Sequence, residues 1–562
     1  MTEEEWQQKI YPRLDLLFRR MKQCNDILMD ADNDMGKFIN MTIAEKHAIV
    51  RKAYYFYVSS FGLSYIKNLY LQNATSPGNL MNIRCLIEGI AMSSYIEKLS
   101  DDEVELFRMQ PFVLEYQIYK KYKELHGSLL DFTKTTESYK KAKQHYKDIE
   151  KFNSEKTNRR MGQKIPFIKK RLNYEDVVRD VFGEQFVWFY KMLGMFMHPH
   201  DFRTQTKIKV EESISNIQDL FHELILIPLE NMFNDFGYPD IAGLDGEYNL
   251  LFYDGTFQQL ALNKTNELKE MLNKATGALL RNGYSCLGSW LYHIHLFNLD
   301  FVLDNSFGYI EQGIIKWKQI VEYFAVLDLF SEDDYYLQDN QLLYYHSQIA
   351  LARGRGEGDI DPKWYDDAYA EYVIKYPSGV SKEGFMKAFD SSLGFLIDEQ
   401  GVVPPSLTKL VRSFIDKYTA EAGNATFKVL ELANSKVFDM PMNPTKAKTM
   451  MDNGELREKE ISLGVFLKMC YEESQIMSHA TGYMHFANTG AWASGQILGL
   501  YIHKFAERAV DKFLTHFQAL RDSGKLKEKT LINVLRNYKK RSKEHIELIE
   551  KIYRIPKIKK VF

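Results

Sequence analysis

The sequence predicts an all-α fold, with two tandem helical bundles and a basic helical C-terminal extension. Three observations predict it. Apolar residues recur at helical spacing through most of the 562 residues. Glycine and proline number only 32 and 14, too few for a turn-rich all-β chain. The cluster NDFGYPDIAGLDGEYN at 234–249 interrupts the periodicity near the middle. It divides a first bundle, 1–235, from a second, divergent one, 250–520, with 521–562 as the extension.

Within the first bundle, residues 79–99 carry Leu80, Ile83, Ile87 and Ile90 as one helical stripe. The preceding SPGN supplies a turn, with Asn79 as the expected cap. Ser100 caps the next helix, with Asp101, Asp102 and Glu103 in its first turn. Residues 174–197 read as a second helical block, apolar nearly all round its later part, which is expected to be buried. A long helix spans 209–233, kinked or ended by Pro228. Past the central break, LFYDGTF (251–257) reads as a short strand turn and 352–362 as a loop. Gly495 and Gly499, four apart, permit close helix approach. RDSGKLKEKT (521–530) opens the basic extension.

Composition narrows the function classes. The chain is 45% hydrophobic and 14% aromatic, ample for large cores and outside the disordered range. Cys24, Cys85, Cys286 and Cys470 form no CxxC pair and read as reduced, buried thiols. The acidic N-terminus has no apolar core of a signal peptide, and no apolar run approaches the roughly 20 residues of a membrane helix. The expectation is a cytoplasmic protein without membrane association.

The net charge of -2 hides an uneven distribution. Residues 134–171 and 525–562 each hold 13 Lys and Arg against 4 Asp and Glu. Such runs are either solvated helix faces or surfaces for nucleic-acid phosphates. On the second reading, Lys169, Lys170, Arg171, Lys539, Lys540 and Arg541 contact nucleic acid.

Three residues carry the chemistry. Arg84 and Glu88 stand one turn apart inside an apolar stripe. An arginine there is either half of a structural ion pair or poised for a phosphate. His198 precedes Pro199, which cannot continue a helix, so it sits at a helix C-terminus, where a protonated histidine is favoured. It reads either as a packed cap or as a general acid or phosphate contact. His198, His200 and Asp201 lack a second ligand cluster, so no metal or cofactor is expected. His293 and His295 point about 200° apart on a helix and make a poorer metal site still, His479 and His485 read as packing or polar-network histidines, and Gly354 to Gly358 lacks the Lys-Ser/Thr of a phosphate loop.

A divergent repeat is visible. Tyr190 precedes His198 by eight residues, and Tyr471 precedes His479 by eight. Laying 79–99 on 285–305 puts Trp290 on Arg84 and Ile294 on Glu88, which makes the second copy degenerate.

RCLIE (84–88) followed by YKMLGMFMH (190–198) resembles a bacterial family of helical domains of unknown function. That family carries R-x-L-x-E-like and Tyr…His motifs and is similar to the HEPN superfamily, which includes ribonuclease toxins and antiphage components. The resemblance covers 60–235, and 270–515 more loosely. It implies a metal-independent ribonuclease, or an RNA- or nucleotide-binding protein, acting through Arg84, Glu88 and His198 in antiphage defence or a toxin system. The HEPN Arg-x(4–6)-His signature is absent, and RSKEH (541–545) has the wrong spacing. That absence favours the alternative, a non-catalytic scaffold or sensor whose partner is a protein or a second copy of the chain.

Overall fold

The computed structural model describes residues 40–70, 77–101, 173–195, 198–199, 256–306, 310–331, 341–354, 360–421, 426–432, 456–481, 495–524 and 530–553, with scattered positions in 19–38, 103–114, 449–453 and 484. The fold is all-α in class. Its one departure among the described residues is an antiparallel ribbon, β1 (Thr426–Leu432) and β2 (Leu456–Ser462), in register from Thr426↔Ser462 to Leu432↔Leu456.

Helices α1 (Ile43–Tyr70) and α2 (Pro77–Ile96) pack along each other. Their contact is close because the sequence puts small residues where the backbones meet. A Cβ on Gly89 would lie 2.7 Å from Val58. On the second arm rest α3 (Tyr174–Phe182) and α4 (Glu184–Met195). The Asn173 side chain caps α3 by accepting from the Glu175 N–H. Gly183, at φ 89°, then breaks what the sequence presents as one helix, since that backbone region suits only glycine.

The C-terminal half repeats this plan. Helices α5 (Thr256–Arg281) and α6 (Ser285–Ser306) are followed by α7 (Ile310–Phe330). Then come α8 (Gln341–Gly354), α9 (Pro362–Lys375), α10 (Lys382–Phe389), α11 (Leu407–Glu421) and α12 (Leu463–Met477). Helix α6 packs on α7, and α11 and α12 rest on α7 as α3 and α4 rest on α2. The long α13 (Gly495–Asp522) and α14 (Thr530–Tyr553) complete this half.

The two hairpins cross, α2 against α6 and α1 against α7. A buried polar knot marks the crossing. Lys316 Nζ donates to Asp304 Oδ2 at 2.6 Å and to Asn82 Oδ1 at 2.7 Å. Ser64 donates to Asp304 Oδ1 at 2.6 Å and accepts from Asn82 Nδ2 at 2.9 Å. Around it the buried apolar side chains form one cluster, reaching from Phe38 through Trp317 to Leu535. The halves therefore share a core.

Several expectations are refined. Asn79 lies inside α2, buried and accepting from Asn68, so it is not a cap, and Pro77 takes the first helical position. Ser100 is the expected cap, and with Glu103 it forms a capping box, the Ser100 N–H donating to Glu103 Oε2 at 2.9 Å. Thr256 and Phe257 open α5 instead of a strand. From the basic C-terminal segment, α14 packs on α13 and α5, with Leu531, Ile532 and Leu535 buried. The central break, the helix at 209–233 with Pro228, and the basic run 134–171 lie outside the described residues. Among those described, no helix is long and apolar enough to cross a membrane.

Candidate active site

Helix α2 presents Arg84 and Glu88 to the crossing of the halves, both buried. Arg84 Nη2 lies 3.4 Å from Glu88 Oε2, the expected one-turn ion pair. Tyr190 of α4 joins it. Its hydroxyl accepts from Arg84 Nη2 at 3.0 Å and donates to Glu88 Oε2 at 2.7 Å. The other Glu88 oxygen faces the C-terminal half. It accepts from the Ala480 N–H at 2.7 Å and lies 3.2 Å from His479 Nδ1. Arg84 Nη1 reaches the Ser478 carbonyl at 3.3 Å.

Helix α7 carries the counterpart, and it is not the one the sequence alignment suggests. Lys318 and Glu322 hold the positions of Arg84 and Glu88, with Lys318 Nζ 3.1 Å from Glu322 Oε1. The Tyr471 hydroxyl donates to Glu322 Oε1 at 3.0 Å, as Tyr190 does to Glu88. His198 Nδ1 approaches Glu322 Oε2 at 3.6 Å, as His479 approaches Glu88. Trp290 and Ile294 are core residues instead, Trp290 packing against Tyr323 and Phe330. The polar knot obeys the same register: Asn82 and Lys316 each stand two residues before the cation of their helix and touch each other.

The arrangement is thus crossed. Each tyrosine serves the glutamate of its own half, and each histidine reaches the glutamate of the other. Both histidines follow a helix C-terminus by the same local turn. The His198 N–H bonds to the Met195 carbonyl and the His479 N–H to that of Ile476. The eight-residue Tyr-His spacing is therefore a structural equivalence.

A cleft of about 330 Å³ opens where the halves meet. Arg84, Tyr190, Lys191, Gly194 and His198 line it from one half, and Lys318, Ser478 and His479 from the other. Tyr174, at the start of α3, stacks on His479 with ring centroids 5.4 Å apart. Its hydroxyl donates to the Ala480 carbonyl at 3.4 Å.

Electrostatics follows from these partners. Burial opposes charge on Glu88, but His479, Arg84 and the Tyr190 hydroxyl overcome it and hold its carboxyl down at about 2. Glu322 is likewise lowered against its burial, by Lys318 and His198. Tyr190 and Tyr471 are pushed far up, first by burial and then by the adjacent carboxylates Glu88 and Glu322, with Arg84 opposing at Tyr190, so both stay neutral donors. An ionised carboxylate only accepts, so the proton of a neutral His479 sits on Nδ1, and Nε2 is left to act. The fixed charges pair off: Arg84 with Glu88, Lys318 with Glu322, and Lys191 with Glu175 at 3.1 Å.

Of the residues singled out in the sequence, Arg84, Glu88 and His198 come to one site. His198 lines the same cleft as Arg84, but its carboxylate partner is Glu322. His479, read as a packing or polar-network residue, is part of the site, and Lys318, Glu322 and Tyr174 were missed. A signal for two of them was present: Lys318-x-x-x-Glu322 in an otherwise apolar helix repeats Arg84-x-x-x-Glu88. His200, Asp201, Lys169, Lys170 and Arg171 lie outside the described residues. Lys539 pairs with Asp511, Arg541 pairs with Glu544 at 2.9 Å, and Lys540 is exposed. All three sit on α14, which does not line the cleft. Among the described residues no group of three or more His, Cys, Asp or Glu could hold a metal ion. No protein-family model, curated protein or solved structure matches this chain.

Proposed function

We propose that the cleft binds a phosphodiester of RNA, or a nucleotide, and that the protein is a metal-independent ribonuclease of HEPN-like character. One observation carries this reading. Two histidines from opposite halves line one cleft, each beside a buried carboxylate of the other half, with Arg84 and Lys318 alongside. Cleavage of RNA needs a base for the 2′-hydroxyl proton, an acid for the leaving 5′-oxygen, and cations for the phosphoryl oxygens. The 2′-oxygen attacks phosphorus, the bond to the 5′-oxygen breaks, and a 2′,3′-cyclic phosphate and a 5′-hydroxyl result. The histidines supply the proton transfers, and Arg84 and Lys318 face the phosphate. The basic runs would extend the electrostatic footprint. A toxin or antiphage role fits this chemistry.

A second reading has its own support. Arg84 already spends donors on Ser478 and Tyr190, as a structural clamp between halves would. The protein would then be a non-catalytic scaffold or sensor working through protein contacts. Induced expression of wild type against His198→Ala separates the two, with growth and cellular RNA integrity as readouts. The nuclease reading expects growth arrest and RNA fragments ending in 2′,3′-cyclic phosphate from the wild type alone. Intact RNA with both proteins, and no RNA affinity at low salt, leaves the scaffold.

A further inference from the structure

The two carboxylate–histidine contacts are equivalent in position but unequal in chemistry, and the cause is one residue. After His479 comes Ala480, whose N–H donates to Glu88 Oε1 at 2.7 Å. After His198 comes Pro199, which has no N–H to give. Glu88 therefore has both oxygens engaged, and His479 is held within hydrogen-bond distance and stacked under Tyr174. Glu322 Oε2 is buried without a hydrogen-bond partner, because His198 stops at 3.6 Å. The His479 side chain is 26% exposed and that of His198 is 56% exposed.

On the ribonuclease reading, we propose that the histidines divide the work: His479 is the general base and His198 the general acid. A base must present a lone pair in a fixed direction and then carry the charge it acquires. His479 meets both needs. Glu88 fixes its tautomer, leaves Nε2 toward the cleft and stabilises the imidazolium that forms. The acid starts charged, gives its proton to the leaving 5′-oxygen, and must be reloaded. His198 is open to water for reloading, and Glu322 Oε2 is the counter-ion left over for its charged form. One proton moves from the 2′-hydroxyl to His479 and one from His198 to the 5′-oxygen, so the step balances. Glu88 and Glu322 are positioning residues.

The test compares one oligoribonucleotide carrying a 5′-oxygen leaving group with the same oligonucleotide carrying a 5′-bridging sulfur at the cleaved linkage. A thiolate departs without needing a proton. His198→Ala should lose about 100-fold or more on the oxygen substrate, a usual contribution of acid catalysis, yet stay within about tenfold of wild type on the sulfur substrate. His479→Ala should lose about 100-fold or more on both. His479→Gln, closer in volume, serves if the alanine variant fails to fold by thermal melt. Sulfur rescue of His479→Ala but not of His198→Ala reverses the assignment, and equal losses on both substrates overturn the division. Either result leaves the ribonuclease reading standing. A wild type that cleaves neither oligonucleotide ends that reading and the assignment together.

Discussion

Glu88 and His479 are separated by 391 residues in sequence and by 3.2 Å in space. The contact joins the N-terminal hairpin to the turn after α12, so the same carboxylate serves the cleft and the seam between halves. Removing it by Glu88→Ala leaves Arg84 buried beside a neutral gap. Breaking one side of a buried ion pair costs about 3–5 kcal/mol, and the variant should melt well below wild type. Glu88→Gln keeps the volume and should lose less. A melt of Glu88→Ala indistinguishable from wild type would contradict the contact.

The same carboxyl makes stability pH-dependent. Its folded value of about 2 lies below its ordinary 4.5. The unfolded chain therefore takes up the proton first. The contribution is fully present above about 4.5 and is lost as pH falls toward 2. Denaturant midpoints across that window should drop more steeply for wild type than for Glu88→Gln. Parallel curves would show that Glu88 is not held in its charged form.

Buried histidines add a second acid-sensitive window. Burial pushes His346 down to about 4, and burial, then His545 and His295, pushes His503 well down. Both are neutral in the fold and take up protons on unfolding, so stability falls as pH drops from about 6.5 toward 4. His346→Phe should remove part of that slope. An unchanged slope between those limits counts against the neutral form.

At Pro199, substitution by alanine supplies the N–H that Ala480 supplies opposite. A hydrogen bond to a charged acceptor contributes about 1.5–3 kcal/mol. Losing proline's stiffening of the unfolded chain costs about 0.4–1 kcal/mol. Pro199→Ala should therefore stabilise by about 1 kcal/mol, and the gain should vanish in a Glu322→Gln background. A loss of stability with wild-type Glu322 would argue against the equivalence of the two turns.

For nucleic-acid binding, affinity should fall as salt rises, because each neutralised phosphate releases counterions. Replacing Lys169, Lys170 and Arg171 together by Glu should weaken binding and flatten the log–log salt slope by about 2 for single strands. Lys540→Glu should act in the same direction. Binding insensitive to salt would remove the basic runs from the interface.

Helical class, the Arg84–Glu88 pair, the position of His198 at a helix end and the eight-residue Tyr-His spacing were all legible in the residues. Each depends on local periodicity or on a neighbour within two or three turns, and backbone geometry dictates those relations. The break at Gly183 and the ribbon of β1 and β2 were not read. One positive-φ glycine and two strands 24 residues apart give weak local signals. The partners across the halves were beyond local reading. Nothing near Glu88 in sequence names His479, and nothing near His198 names Glu322. Those contacts exist because α1–α2 and α6–α7 cross around the Lys316–Asp304 knot, which brings each helix end over the opposite carboxylate. The mistaken alignment on Trp290 has the same origin: hydrophobic pattern alone cannot say which of two buried helices, α6 or α7, is the counterpart of α2. Packing decides it, because a buried cation must lie within reach of its carboxylate, and on α7 Lys318 does.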